Sequence, residues 1–397
     1  MAPVRRRLLL LAALVTLSIV ALLLRRSRVA ALGTATDRPS GFSAGPVPLP
    51  SGRAGDLLRT TPSPLPPGLP AGTTARRILY RSVDHDGHPT AVTGLLYVPG
   101  HPEPSGRPLI ATFGHGSVGI SDGCAPSRFP LPPDLLAALL AKGLVVVASD
   151  YAGLGTPTAY RYLAGPSTGH NILDAARAAQ RALAAEDGGA PGSVLIYGMS
   201  AGGHAALWAA QEATAYAPEL DVVATVALAP VGELGATMAR FSASLDYSRF
   251  ALMLGASWAG WKPGLVVEDV FPPGAERWLS GLGNRCPGVP YDRILPTSLD
   301  ERLAPGWFRV PQWAAALAAN SPGHRRITHP VLLVQGTRDD VIPADSTNSL
   351  QVALAATGTP VERIDVDADH LQVPPTAAAA VVAWVEKVIA ATGQPVK

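Results

Sequence analysis

The five residues Gly198-Met199-Ser200-Ala201-Gly202 constrain this chain more than any others. They follow the apolar run Val194-Leu195-Ile196-Tyr197 and open an Ala-rich stretch of helical character. In that context the pattern G-x-S-x-G reads as a sharp turn between a buried strand and a helix, with the serine presented at its tip. Such a turn needs small residues two before and two after the serine. Gly198 and Gly202 meet that need, and Gly203 adds slack. The helix N-terminus favours negative charge developing near Ser200 Oγ. We read Ser200 as a nucleophile; the plain alternative is a Gly-rich turn whose serine caps a helix.

A serine hydroxyl needs a base, and the base needs an orienting acid. For a serine on this kind of turn the chain order is serine, acid, histidine. Only His204, His324, His329 and His370 follow Ser200. His204 lies one turn into the helix, and His324 and His329 precede the last long strand and its acidic turn. His370 follows the final expected strand and is the candidate base. The acid should end the strand Val331-Leu332-Leu333-Val334-Gln335, which runs into Gly336-Thr337-Arg338-Asp339-Asp340. The Gly-x-x-Asp spacing selects Asp339, leaving Asp340 as a solvated neighbour or a helix cap. Asp367 and Asp369 are disfavoured, because so short a span rarely allows the approach to the far ring nitrogen of His370. An oxyanion formed at Ser200 needs backbone donors. The amide of Ala201 should supply one. The loop Gly114-His115-Gly116-Ser117-Val118-Gly119 should supply the other, through Ser117 or alternatively Gly116. His115 precedes the nucleophile and is expected to support that loop. Asp150, also before Ser200, is expected to hold the Tyr151–Gly155 loop.

Around these residues, short branched-apolar runs alternate with longer Ala-rich stretches. Expected strands are 77–82, 91–99, 109–113, 144–149, 193–197, 222–228, 331–335 and 361–366. Expected helices are 132–142, 172–185, 201–213, 346–357 and 376–391. The first two strands look antiparallel. The rest imply an α/β fold with a mostly parallel sheet and helices on both faces. Residues 232–325 hold five of the seven tryptophans and no clean strand, and are expected to form a mainly helical insertion. The core is then residues 73–231 and 326–397. Phe241, Phe250, Met253, Trp258 and Trp261 either pack the insertion's core or line an acyl site.

Residues 1–26 are read as a membrane anchor or export signal. Leu8–Leu24 is apolar but for Thr16 and Ser18, with arginines on both flanks, and would span roughly 25 Å as a helix. Arginines after the apolar run favour an uncleaved anchor; Ala30, Ala31 and Ala35 keep cleavage open. Either way the globular part should lie outside the cytoplasm. Residues 27–72, rich in Pro, Gly, Ser and Ala, are expected to begin as an extended linker. Beyond the six arginines of the N-terminal segment the chain carries 26 basic residues against 30 acidic ones. That balance argues against a nucleic-acid partner. Two cysteines are too few for a Cys-only metal site, and neither a metal nor an organic cofactor is expected.

The ordered set His115-Gly116-Ser117, Cys124-Ala125-Pro126-Ser127, Asp150-Tyr151-Ala152-Gly153-Leu154-Gly155 and the Ser200 turn resembles the secretory lipase family of α/β-hydrolases. The group includes fungal extracellular lipases and Candida lipase A-like enzymes. The resemblance runs roughly from Phe42 to Ala390. It implies an α/β-hydrolase fold, a triad falling on Ser200, Asp339 and His370, a helical cap over the acyl site, and hydrolysis of carboxylic esters, often triacylglycerols. The chain departs from many α/β-hydrolases in having Asp369 rather than glycine before His370. With the resemblance, Cys124 and Cys286 are expected to pair in an oxidising compartment and tie cap to core; the alternative is two buried thiols. The expected function is a serine esterase or lipase acting on lipid or small acyl esters. The alternatives are a serine peptidase, an acyltransferase using the same acyl-enzyme, or a non-catalytic surface binding protein.

Overall fold

The computed structural model describes residues 41–101, 108–129, 131–132, 134–187, 192–282, 286 and 295–391. The N-terminal segment read as an anchor or signal lies outside them. Nine strands form one sheet: β1 (Leu57–Pro62), β2 (Thr74–Val83), β3 (Pro89–Val98), β4 (Ile110–Gly114), β5 (Val145–Ser149), β6 (Val194–Met199), β7 (Val222–Leu228), β8 (Val331–Gly336) and β9 (Val361–Val366). Their order across the sheet is β1-β2-β3-β5-β4-β6-β7-β8-β9. The β1–β2, β2–β3 and β3–β5 pairings are antiparallel, and all later pairings are parallel.

The parallel strands β4 to β8 are buried on both faces because side chains alternate between two apolar layers, whereas the edge strand β9 is half-buried to exposed. On β6, Val194 and Ile196 enter one layer while Leu195 and Tyr197 enter the other. On β8, Val331 and Leu333 alternate in the same way with Leu332 and Val334. Helices α1 (Asp134–Ala141) and α11 (Val373–Ala391) cover one face. Helices α2 (Gly165–Asp187) and α3 (Ala201–Tyr216) pack together over the other. Helix α10 (Ala344–Ala356) joins β8 to β9. The C-terminal helix is long and apolar enough to span a bilayer by composition. Its Val381, Val385 and Ile389 are instead buried against the sheet.

Between β7 and β8 the described residues carry only helices: α4 (Leu234–Ser242), α5 (Ser248–Trp258), α6 (Val267–Val270), α7 (Glu276–Leu282), α8 (Leu299–Arg302) and α9 (Pro311–Ala319), with a 3₁₀ turn at Trp307–Arg309. This insertion shares its core with the sheet. Phe241, Met253, Trp258, Trp307 and Trp313 are buried in the same apolar cluster as Leu173, Leu207 and Leu333. The aromatic run of α4 and α5 is therefore mainly core; Phe250 and Trp261 are only partly buried against it.

Two differences from the sequence reading have physical causes. Part of the expected linker is folded. Strand β1 has mostly exposed or half-buried side chains, as an edge strand does, so its apolar pattern is weak. Arginines tie the preceding chain down. Arg59 Nη1 reaches the carbonyls of Gly41 (3.0 Å), Phe42 (3.2 Å) and Ala44 (2.9 Å), and Arg181 reaches Ala54 O at 2.6 Å and Asp56 Oδ1 at 2.7 Å. Helix α2 begins seven residues earlier than expected, through Thr168 and Asn171, which favour turns locally. Its start is fixed from the cap: Asn320 Oδ1 accepts the Gly165 N–H at 2.9 Å.

Cys124 and Cys286 form a disulfide, with Cα atoms 5.2 Å apart and a sequence separation of 162. A cross-link over so long a loop restricts the unfolded chain strongly. Replacing both cysteines by serine should lower the free energy of unfolding by about 2–5 kcal/mol in urea titrations. Unchanged stability would show that the link contributes nothing to the fold.

Candidate active site

Ser200 sits between β6 and α3 with φ 57°, a left-handed value costly for a residue with a side chain. The turn is pinned from both sides. The Ser200 N–H donates to Leu228 O at 2.8 Å, and its carbonyl accepts from Val231 N–H at 3.2 Å and His204 N–H at 3.1 Å. Only glycine fits the flanking positions. A Cβ on Gly202 would lie 1.8 Å from Gly114 O, and one on Gly198 would lie 2.1 Å from Gly202 O.

The expected base and acid converge on this serine. His370 Nε2 is 3.0 Å from Ser200 Oγ, and His370 Nδ1 is 2.7 Å from Asp339 Oδ2. Asp339 Oδ1 accepts from the N–H groups of Val341 (3.0 Å) and Ile342 (2.8 Å). With one carboxylate oxygen fixed by backbone, the other meets Nδ1. A carboxylate accepts there, so Nδ1 carries the hydrogen and Nε2 is free to accept from the serine. Ser200, Asp339 and His370 are each at most 9% exposed, which strengthens these polar contacts.

Aspartate before the histidine has a local reason. Asp369 Oδ1 accepts the Gln372 N–H at 3.0 Å and so caps the short turn that carries His370. An aspartate three residues before a free amide is a capping signal legible in sequence. Asp340 does not cap the following helix, whose N-cap is Pro343. Its Oδ2 accepts from Tyr247 OH at 2.6 Å, and its carbonyl accepts from Arg240, so two cap residues hold the acid loop. Donating to Asp340 pushes the Tyr247 phenol up to about 12. No local pattern marks Tyr247 or Arg240 in the sequence.

The glycine-rich loop after β4 lies against the serine. A Cβ on Gly116 would be 3.8 Å from Ser200 Cβ. Among the described residues no acceptor meets the backbone N–H of Gly116, Ser117 or Ala201. Ser117 Oγ lies 2.5 Å from Tyr162 OH. His115 supports the loop, with Nδ1 2.6 Å from Gly116 O, Nε2 3.3 Å from Asp150 O, and its ring 4.3 Å from that of Tyr151. Asp150 accepts from Thr93 Oγ1 (2.6 Å) and from the Ser127 N–H (2.8 Å). It therefore braces the disulfide segment. Among the described residues no cluster of His, Cys, Asp and Glu could hold a metal ion.

A family model described as secretory lipase matches residues 133–262, a span that includes the serine turn and the first cap helices. The chain resembles the secretory lipases. Lipase A of Arthroderma benhamiae is 24% identical over 366 residues, 83% of this chain and 75% of that one. A Mycobacterium tuberculosis protein named as a probable inactive lipase is 26% identical over 345 residues, 80% of this chain and 74% of that protein. Candida antarctica lipase A in its closed state superposes with a TM-score of 0.74 at 17% identity, covering 90% of this chain and 88% of that one, which shows the shared fold. The family match supports a hydrolase of the lipase and esterase type, and a secretory family accords with a globular part outside the cytoplasm.

Two histidines that follow Ser200 in the chain lie elsewhere. His204 is fully buried with Nε2 2.8 Å from Asn320 O, and His329 Nε2 is 2.8 Å from Thr225 Oγ1. Burial pushes both down to about 4. In the unfolded chain they protonate near pH 6.5, so between about pH 6.5 and 4 the unfolded state binds more protons. Stability should be full above that window and fall as the pH drops through it. His329→Gln should flatten the fall between pH 7 and 4.5 in urea titrations. An unaltered slope would contradict the burial argument.

Proposed function

We propose that this protein is a serine carboxylic-ester hydrolase working through an acyl-enzyme. The observation that carries the reading is the hydrogen-bonded line from Ser200 Oγ through His370 to Asp339. His370 Nε2 takes the serine proton as Oγ attacks the ester carbonyl, and Asp339 stabilises the imidazolium that forms. The Ala201 and Ser117 amides receive the oxyanion. The alkoxide leaves with the proton from His370. Water, deprotonated by the same ring, then releases the acid and restores the serine. The name of the mycobacterial relative describes an inactive protein; here the serine, histidine and carboxylate are all present and within hydrogen-bonding distance, which supports activity.

The substrate class we infer is an acyl ester of a lipid or small alcohol. Its support is the likeness to the secretory lipases, together with Leu371, which follows the histidine in sequence and is 79% exposed. We further propose that the apolar N-terminal segment delivers the enzyme across a membrane and either holds it there or is removed.

The test is release of p-nitrophenol from acetate, octanoate and palmitate esters by the wild type and by Ser200→Ala. Turnover should fall by about 10⁴- to 10⁶-fold in the variant, and the chain-length profile should separate lipase from short-chain esterase. Full activity in Ser200→Ala, or none in folded wild type, would overturn the reading.

A further inference from the structure

We propose that Tyr162 is a positioning residue for the oxyanion loop, through which the cap sets the loop's geometry. The inference rests on the assignment of Ser117 as an oxyanion donor. Tyr162 lies between β5 and α2 and is 1% exposed. Helix α5 holds its backbone at both polar groups. The Tyr162 N–H donates to Ser257 Oγ at 3.2 Å, and its carbonyl accepts from Trp258 Nε1 at 2.8 Å. The neighbouring Arg161 also donates to Ser257 O. Trp258 is fully buried, so this end of α5 is fixed against the core.

The phenol of Tyr162 points the other way and meets Ser117 Oγ at 2.5 Å. Burial pushes its pKa up, so the hydroxyl keeps its hydrogen at any working pH. The loop itself offers little stiffness, since Gly114, Gly116 and Gly119 alternate with its other residues. Side chains pin it at both ends, and Tyr151 OH adds a bond to His115 O at 3.1 Å. His115 fixes the end near β4 through Gly116 O and Asp150 O, and Ser117 fixes the far end through Tyr162. Without the phenol hydroxyl that far end loses its hydrogen bond toward the cap and keeps only apolar packing through Val118. A donor aimed at developing charge acts on the transition state, so misplacing it lowers kcat more than it raises KM.

The experiment uses the full chain and p-nitrophenyl octanoate. Tyr162→Phe keeps the ring and removes the hydroxyl. Ser117→Ala keeps the amide and removes the hydroxyl. Each should lower kcat by about 10- to 100-fold, the range for a group displaced by about 1 Å, with KM changed by less than about twofold. The double variant should lose no more than either single one, because both break the same contact. Tyr216→Phe, which removes a hydroxyl hydrogen-bonded to Asp174, should leave kcat unchanged and controls for general loss of a tyrosine hydroxyl. Unchanged kcat in Tyr162→Phe, or losses that multiply in the double variant, would overturn the proposal. If Tyr162→Phe does not fold, Ser117→Ala decides alone: a lowered kcat supports the proposal and an unchanged one overturns it. Ser200→Ala, assayed beside them, reports on the nucleophile only, so the functional reading and this inference fail separately.

Discussion

The close approach of Gly202 to the carbonyl of Gly114 governs the geometry of the whole site. A single methyl group at Gly202 would fall 1.8 Å from that oxygen. The contact brings the end of β4, the serine turn and the start of α3 into one packed unit, and Gly114 is also where the oxyanion loop begins. Strands β4 and β6 pair in parallel with Gly114 opposite Gly198, so the sheet itself sets this approach. Ser200 and the start of the loop beside it are thereby placed by backbone packing, and side chains then pin the rest of that loop. The positive φ of Ser200 is a local cost, offset by its bond to Leu228 O and by those it accepts from the Val231 and His204 N–H groups.

The cap takes part in this geometry. Its aromatic residues belong to the same apolar cluster as the helices over the sheet, so the cap cannot shift as a free lid without exposing buried tryptophans. Among the described residues it meets the elements around the candidate site at several places, including the disulfide from Cys286 to the segment after the Gly114–Gly119 loop, Tyr247 and Arg240 on Asp340, α5 on Tyr162, and Asn320 on His204 and Trp208 of α3. The cap and the candidate site therefore share one scaffold.

The parallel core and the convergence of Ser200, His370 and Asp339 were legible in the sequence because each depends on a short, local pattern. Alternating branched runs give buried strands. A serine between two glycines gives the turn, and the chain order then leaves one histidine and one acidic turn. Elements fixed by distant partners were not legible. Strand β1 is an edge strand in a Pro- and Gly-rich stretch, and it is held by pairing with β2 and by arginine contacts to the chain before it. The first turns of α2 depend on Asn320, 155 residues away. Tyr162, Tyr247 and Arg240 carry no motif, because their significance comes from what the cap folds against.

The central claim is that Ser200 is the activated nucleophile of an intact triad. Its most direct test is labelling the folded protein with a fluorophosphonate, followed by intact-mass measurement and peptide mapping. The account predicts one adduct per chain, on the peptide that contains Ser200, and no adduct after His370→Ala at the same exposure. An adduct on another residue, or an unlabelled Ser200 in folded protein, would contradict it.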